Sequence, residues 1–177
     1  TITAWSGKSS APHQFSTRYH RWDARRGERD SLFPTITYEA IDTTSLMSHG
    51  LLPKVNSLGS AVLHKMQASK NLGYQASRLG QHSMYWVRVP GYFCQFLLNP
   101  PMARPERGGP KRVRGEVNEL RFEDQLSRDV ICALLNSSTY YQFFCAYTDT
   151  RHINPSDVTE FPLDPALLTG PTKLKLS

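Results

Sequence analysis

Near the C-terminal end the chain reads Asp149-Thr150-Arg151-His152-Ile153-Asn154-Pro155, which sets a carboxylate, a guanidinium, an imidazole and an amide side by side. The segment follows an apolar, aromatic-rich helical run over 130–147. A polar, turn-prone ending on such a helix holds its side chains at a surface, where they can hydrogen-bond a partner. Arg151 and His152 have the donor and acceptor types that read base edges or grip phosphates. They can equally serve the turn itself, with Arg151 paired to Asp149 or Asp157. Asn154 reads best as the cap of a short helix over 155–160, with Pro155 at its first position.

A second group of cations lies in the stretch 104–114, where Arg104, Arg107, Lys111, Arg112 and Arg114 face the single acid Glu106. Pro100, Pro101, Pro105 and Pro110 with Gly108, Gly109 and Gly115 break any regular element there, so a loop is predicted. Such a loop can neutralise phosphates and offer a bidentate Arg to guanine, which is favoured over a merely solvated basic segment. Lys54 and Arg78 each sit beside a turn, as phosphate contacts or as ordinary surface charges. Asn99-Pro100-Pro101-Met102 invites comparison with the Asn-Pro-Pro-aromatic motif that holds an adenine, but Met102 cannot stack on a base as a ring does. A strand-end turn is the better reading.

Other chemistries find no support. His13, His20, His49, His64, His82 and His152 show no metal-ligand spacing with one another or with Cys94, Cys132 and Cys145. No Gly-rich phosphate loop or Ser-centred elbow appears. The cysteines are odd in number, scattered and set in apolar surroundings, so they read as core thiols in a reducing, cytoplasmic setting. No run approaches the roughly 18 apolar residues that a membrane span needs. With 39% hydrophobic and 20% charged residues in 177, the chain can bury a core. Its net charge of +6 favours polyanionic partners.

These side chains need a scaffold. Residues 33–41 alternate well enough for a strand, and further strands are predicted around 72–77, 84–89, 92–98 and 116–122. Tyr85 and Trp86 on the strand over 84–89 should give at least one core ring. Asp42 to Ser45 offers caps for a short helix. Asn56 or Ser57 can cap a helix over 57–70, with Leu58, Val62, Leu63 and Met66 at helical spacing. Glu123 and Asp124, acids at its positive end, start one long helix over 123–147. The result is an α+β fold in which a twisted mixed sheet packs against two main helices. Residues 1–31 form a basic arm or linker in which Trp5, Phe15, Tyr19 and Trp22 are interleaved with Lys8, Arg18, Arg21, Arg25, Arg26 and Arg29; residues 32–165 form the domain, and 166–177 a tail.

Taken in order, Phe33 to Tyr38, Leu52-Pro53-Lys54-Val55, a helix from about Ser57, Tyr85-Trp86, Pro90-Gly91-Tyr92-Phe93, Ala133-Leu134-Leu135-Asn136-Ser137-Ser138-Thr139-Tyr140-Tyr141-Gln142-Phe143-Phe144 and the Asp-x-Arg-His-Ile-Asn-x-x-Asp-x-x-x-Phe-Pro run over 149–162 resemble the target-recognition region of adenine-specific DNA methyltransferases of type II and type IIG restriction-modification systems. The resemblance covers 32–163; each motif is short, and their order carries the specificity. It implies a fragment that selects duplex DNA for an adenine N6 methyltransferase catalytic domain, in the same parent chain or a partner subunit. S-adenosylmethionine would be held by that domain, leaving no cofactor, metal or catalytic residue here. The residues expected to contact DNA are Lys54, Arg78, Arg104, Arg107, Lys111, Arg112, Arg114, Arg151 and His152. The rival expectation is a protein-interaction module that docks a methylase or nuclease subunit through its aromatic surface.

Overall fold

Two residues, Asp124 and Asn136, shape the C-terminal half. In the computed structural model the described residues are 14–20, 27–41, 51–66, 70–101 and 116–163. Asp124 stands in extended conformation and accepts the Ser127 N–H at 2.8 Å, so the helix begins one residue later, at Gln125. The long helix expected over 123–147 is instead two, Gln125–Leu135 and Ser138–Tyr147. The reason lies at Asn136: its amide donates to the Phe96 carbonyl at 2.9 Å and accepts the Phe96 N–H at 3.1 Å. A side chain bonded to a neighbouring strand competes with helix propagation. Ser137 then caps the second helix by accepting the Tyr140 N–H.

Chain order is β1 (Gln14–Ser16), α1 (Glu28–Thr35), β2 (Glu39–Ile41), α2 (Ser57–Met66), a 3-10 turn (Leu72–Gln75), β3 (His82–Val87), β4 (Phe96–Leu97), β5 (Val117–Phe122), α3 (Gln125–Leu135), α4 (Ser138–Tyr147) and α5 (Pro155–Thr159). The molecule is a mixed α+β structure, and the described residues form two small sheets, β1-β2 and β4-β3-β5. Among the described residues every strand pairing is antiparallel, not mixed. β4 and β5 do run parallel to each other, but β3 lies between them. The chain therefore leaves β4 at the His82 end and re-enters β5 at the Val87 end, a return that needs a connection of a dozen or more residues.

One face of the larger sheet carries Met84, Trp86, Phe96 and Phe122, all buried against Val130, Ile131 and Leu135 of α3 and Tyr140, Phe143 and Phe144 of α4. Tyr140 meets Phe96 and Phe161 edge-on, with ring centroids 5.2 and 5.4 Å away. Of the Tyr85-Trp86 pair, Trp86 is the core ring, and its indole N–H donates to the Ile153 carbonyl at 3.0 Å. A smaller cluster of Ile41, Val55, Leu63 and Ala146 joins β2 and α2 to α4. Gly80 passes so close to β5 that a Cβ there would stand 2.3 Å from the Phe122 carbonyl oxygen.

Several expected elements come out differently. Residues 33–35 belong to α1, where the Thr35 hydroxyl donates to the carbonyls of Ser31 and Leu32, and the strand shrinks to Glu39–Ile41 because its partner β1 has three residues. Around 72–77 a 3-10 turn replaces the strand. Its neighbour there is Pro162, which bridges Asn71 and has no N–H to continue a ladder. Strand 92–98 reduces to Phe96–Leu97. α2 keeps its predicted start, with Asn56 Oδ1 accepting the Gly59 N–H at 2.9 Å, and within it Leu63 is buried while Leu58 is exposed. The short helix expected after Asp42 lies outside the described residues. At the N-terminus, β1 pairs with β2 and α1 runs across position 31. Among the described residues no helix is long and apolar enough to cross a membrane.

Candidate nucleic-acid interface

The corner after α4 is built by one carboxylate. Thr148 is extended and its hydroxyl donates to the Phe144 carbonyl while accepting the Thr150 N–H. Thr150 then takes a left-handed conformation, φ 59°, a strained choice for a branched residue that the surrounding bonds must hold. Asp149 does so: Oδ1 accepts the N–H groups of Arg151 at 2.8 Å and His152 at 2.9 Å, and Oδ2 lies 3.0 Å from His152 Nδ1. Partial burial pushes the Asp149 carboxyl up, but the His152 and Arg151 N–H bonds, then the His152 ring, outweigh it and hold it down at about 2.

A carboxylate only accepts, so the His152 proton sits on Nδ1 in the neutral ring and Nε2 faces away as an acceptor, or as a donor once the ring is charged. Arg151 is exposed, and its pairing is through its main-chain N–H to Asp149, not its guanidinium. Among the described residues nothing engages that guanidinium.

Ile153, fully buried, fastens the corner to the sheet by donating its N–H to the Arg88 carbonyl at 2.7 Å. Beyond it Asp157 Oδ2 accepts the Asn154 N–H at 2.8 Å and its side-chain amide at 3.1 Å, with Pro155 at the first position of α5. Asn154 is thus at the cap, as its type and spacing predict.

The other candidate residues fall in three places. Lys54 is half-buried: its ammonium donates to the Thr148 carbonyl and its N–H to the Ala146 carbonyl, a cation at the negative end of α4. Burial lowers its pKa against the opposing pull of Cys145 and Asp149. It therefore stands directly behind the corner and supports it. Arg78 is exposed at the opposite end of β3, lining a groove of about 520 Å³ with Ser77, Glu119 and Arg121; six strand residues put it roughly 20 Å from the corner. Arg104, Arg107, Lys111, Arg112 and Arg114 lie outside the described residues. The re-entry point of their connection is described: Glu116 accepts the Arg88 N–H at 2.8 Å, and its carboxylate meets the Arg88 guanidinium at 3.2 Å. Arg88 thus joins the basic connection on one side to the Asp149 corner on the other. Its position at the end of an alternating strand, before Pro90-Gly91, was the available sequence signal for it.

Beside Thr150 opens a cleft of about 230 Å³ walled by Tyr19, Tyr92, Phe93, Tyr141 and Phe144. Phe93 and Tyr141 stack at 4.7 Å. These rings come from three separate stretches of chain, which no local pattern connects. Asn99 and Pro100 sit exposed just beyond β4, in the strand-end turn. Among the described residues no group of three or more His, Cys, Asp or Glu side chains is placed to hold a metal.

No family model matches this chain, and no curated protein or solved structure matches it.

Proposed function

We propose that this chain is the sequence-reading part of a restriction-modification adenine N6 DNA methyltransferase, with target-recognition-domain-like architecture, positioning duplex DNA for a catalytic domain that binds S-adenosylmethionine. The observation that carries the reading is the Asp149 corner: one carboxylate organises a strained turn that presents an exposed Arg151, whose guanidinium no described residue engages, beside an oriented imidazole, and the turn is fastened to the sheet through Ile153 and Arg88. Holding the imidazole and the main chain of Arg151 in advance reduces their ordering cost when they meet a ligand. An exposed Arg suits guanine O6 and N7 or a phosphate, and His152 Nε2 can accept or donate according to its charge. The connection that bears Arg107, Lys111, Arg112 and Arg114 rejoins the sheet two residues beyond Arg114, beside this corner, so affinity and discrimination would converge on one end of the sheet. The overall excess of six positive charges acts in the same direction.

Fluorescence anisotropy with labelled duplexes tests this. The 177-residue chain should bind duplex DNA with an affinity that falls steeply between about 50 and 200 mM salt. Replacing Arg107, Lys111, Arg112 and Arg114 by Ala should weaken binding and flatten the log–log salt slope by roughly 3 to 4, at about 0.9 for each phosphate no longer neutralised, with the thermal midpoint nearly unchanged. Affinity and slope that survive all four substitutions overturn the loop assignment. A chain that binds no duplex at low salt, but binds a protein partner salt-independently, overturns the function in favour of a docking module.

A further inference from the structure

We propose that the outer edge of β5 docks an extended, acidic segment of a partner protein as an added strand, an inference independent of the DNA-reading function above. β5 has β3 on one side only. The Glu116 carbonyl accepts the Arg88 N–H at the start of that shared ladder, so by strand alternation the N–H and C=O groups of Val117, Glu119 and Arg121 point the other way. Ser77 marks the direction by donating its N–H to the Arg121 carbonyl at 2.8 Å. Among the described residues nothing meets the main-chain groups that Val117 and Glu119 turn outward. The opposite edge of the same sheet is closed, because the Asn136 side chain takes both the N–H and the C=O of Phe96. An open edge is a template for another strand.

The groove of about 520 Å³ continues this edge, between the 73–78 segment and β5. It is lined both by Leu120, which packs on the core, and by Glu119 and Arg121, which are exposed, so it opens at the rim of the sheet and not over one face. One charge in it is uncompensated. Arg121 donates twice to Glu119, at 3.1 Å each, and the Ser83 hydroxyl of β3 donates to the same carboxylate at 2.6 Å, whereas Arg78 is exposed and no described residue pairs with it. A carboxylate in the added strand answers that guanidinium. The main-chain groups decide the class of partner. Donors and acceptors alternate along the edge and a second main chain satisfies both, whereas DNA phosphates only accept and would leave the carbonyls of Val117 and Glu119 unmet. A second copy of β5 brings the same closed Glu119–Arg121 pair and another Arg78, so it carries no negative charge to the groove.

The test titrates the full chain into a fluorescein-labelled peptide of about six residues, a usual strand length, alternating Val and Asp, and reads anisotropy. The peptide should bind at low salt, and more weakly when its amides are N-methylated or when Lys replaces Asp. Val117→Pro removes one outward N–H and leaves the inward ladder to β3 intact, a change that an edge strand tolerates, and should weaken the peptide roughly tenfold. The N-methylated peptide reads the same bonds on the unaltered chain, whatever Val117→Pro does to folding. Arg78→Glu should reverse the preference between the Asp and Lys peptides. Absence of binding, equal binding of the N-methylated peptide, or equal binding of the Asp and Lys peptides overturns the proposal. Displacement of the peptide by duplex DNA overturns it in favour of a nucleic-acid groove. A concentration-dependent dimer in sedimentation that Val117→Pro abolishes overturns it in favour of a second copy.

Discussion

Replacing Asp149 by Ala separates a positioned corner from a merely basic one, because the two predict affinity changes of opposite sign. Asp149 receives two main-chain N–H groups at 2.8 and 2.9 Å and the His152 ring at 3.0 Å. Bonds to a charged acceptor contribute roughly 1.5–3 kcal/mol each when shielded from water. Here 54% of the side chain is exposed, and screening reduces exposed charge contacts to about 0.2–1 kcal/mol. Asp149→Ala should therefore lower stability by about 1–2 kcal/mol, read as a shift of the urea midpoint. Asp149→Asn should cost less, since its carbonyl can still accept the two N–H groups.

The pH dependence has a definite sign. The folded carboxyl is held at about 2 against an ordinary 3.8, so the unfolded chain takes up a proton first as pH falls. The contribution is fully present above 3.8 and is lost as pH drops towards 2, amounting to about 1 kcal/mol after screening. Asp149→Ala should flatten the stability curve in that window. Duplex affinity gives the decisive reading. If charge alone bound DNA, deleting a carboxylate beside phosphates would tighten binding. If Asp149 positions the His152 ring and the main chain of Arg151, these must now be ordered on binding, at about 0.5–1.5 kcal/mol for the ring and about 1–2 kcal/mol for the backbone, and affinity should fall roughly tenfold or more. Unchanged or tighter binding by Asp149→Ala, at constant salt and with the fold intact by circular dichroism, refutes the positioning argument.

Two further perturbations test the scaffold. Gly80→Ala would place a methyl 2.3 Å from the Phe122 carbonyl oxygen, main chain that cannot rotate away, and should cost about 1–3 kcal/mol by overpacking, seen as a lower thermal midpoint; an unchanged midpoint would mean that Gly80 and β5 can move apart freely. Asn136→Ala removes both bonds to Phe96, leaving the Phe96 N–H without that acceptor and its C=O with only the weak Cys132 thiol donor at 3.5 Å. A loss of about 2 kcal/mol is expected in urea, together with faster amide exchange at Phe96, and normal protection there would show that the strand is held by something else.

Local chemistry announced itself in the amino-acid order wherever a residue and its partner lie within one turn. Asn154 with Pro155 ahead of α5 and Asn56 ahead of α2 are caps of this kind, and the alternation through β3 and β5 identified both strands and the need for a core ring at Tyr85 or Trp86, while the capping role of Asp124 and the choice of Trp86 came from the fold. Near-neighbour pairs are specified by spacing alone, because main-chain geometry brings them together whatever the rest of the chain does.

What tertiary structure decided are the choices made between distant segments. Asn136 looks helical within its own run, and only the Phe96 main chain, forty positions away, ends the helix there. Residues 72–77 suit a strand, but the available partner at Pro162 has no N–H. Lys54 reads as a surface cation until the C-terminal carbonyl of α4 captures its ammonium. The sheet order, which brings Glu116, Arg88 and Ile153 to one edge, and the cleft that gathers Tyr19, Tyr92 and Tyr141 are likewise invisible locally. Their energies come from contacts between separated segments, which exist only once the chain has closed on itself.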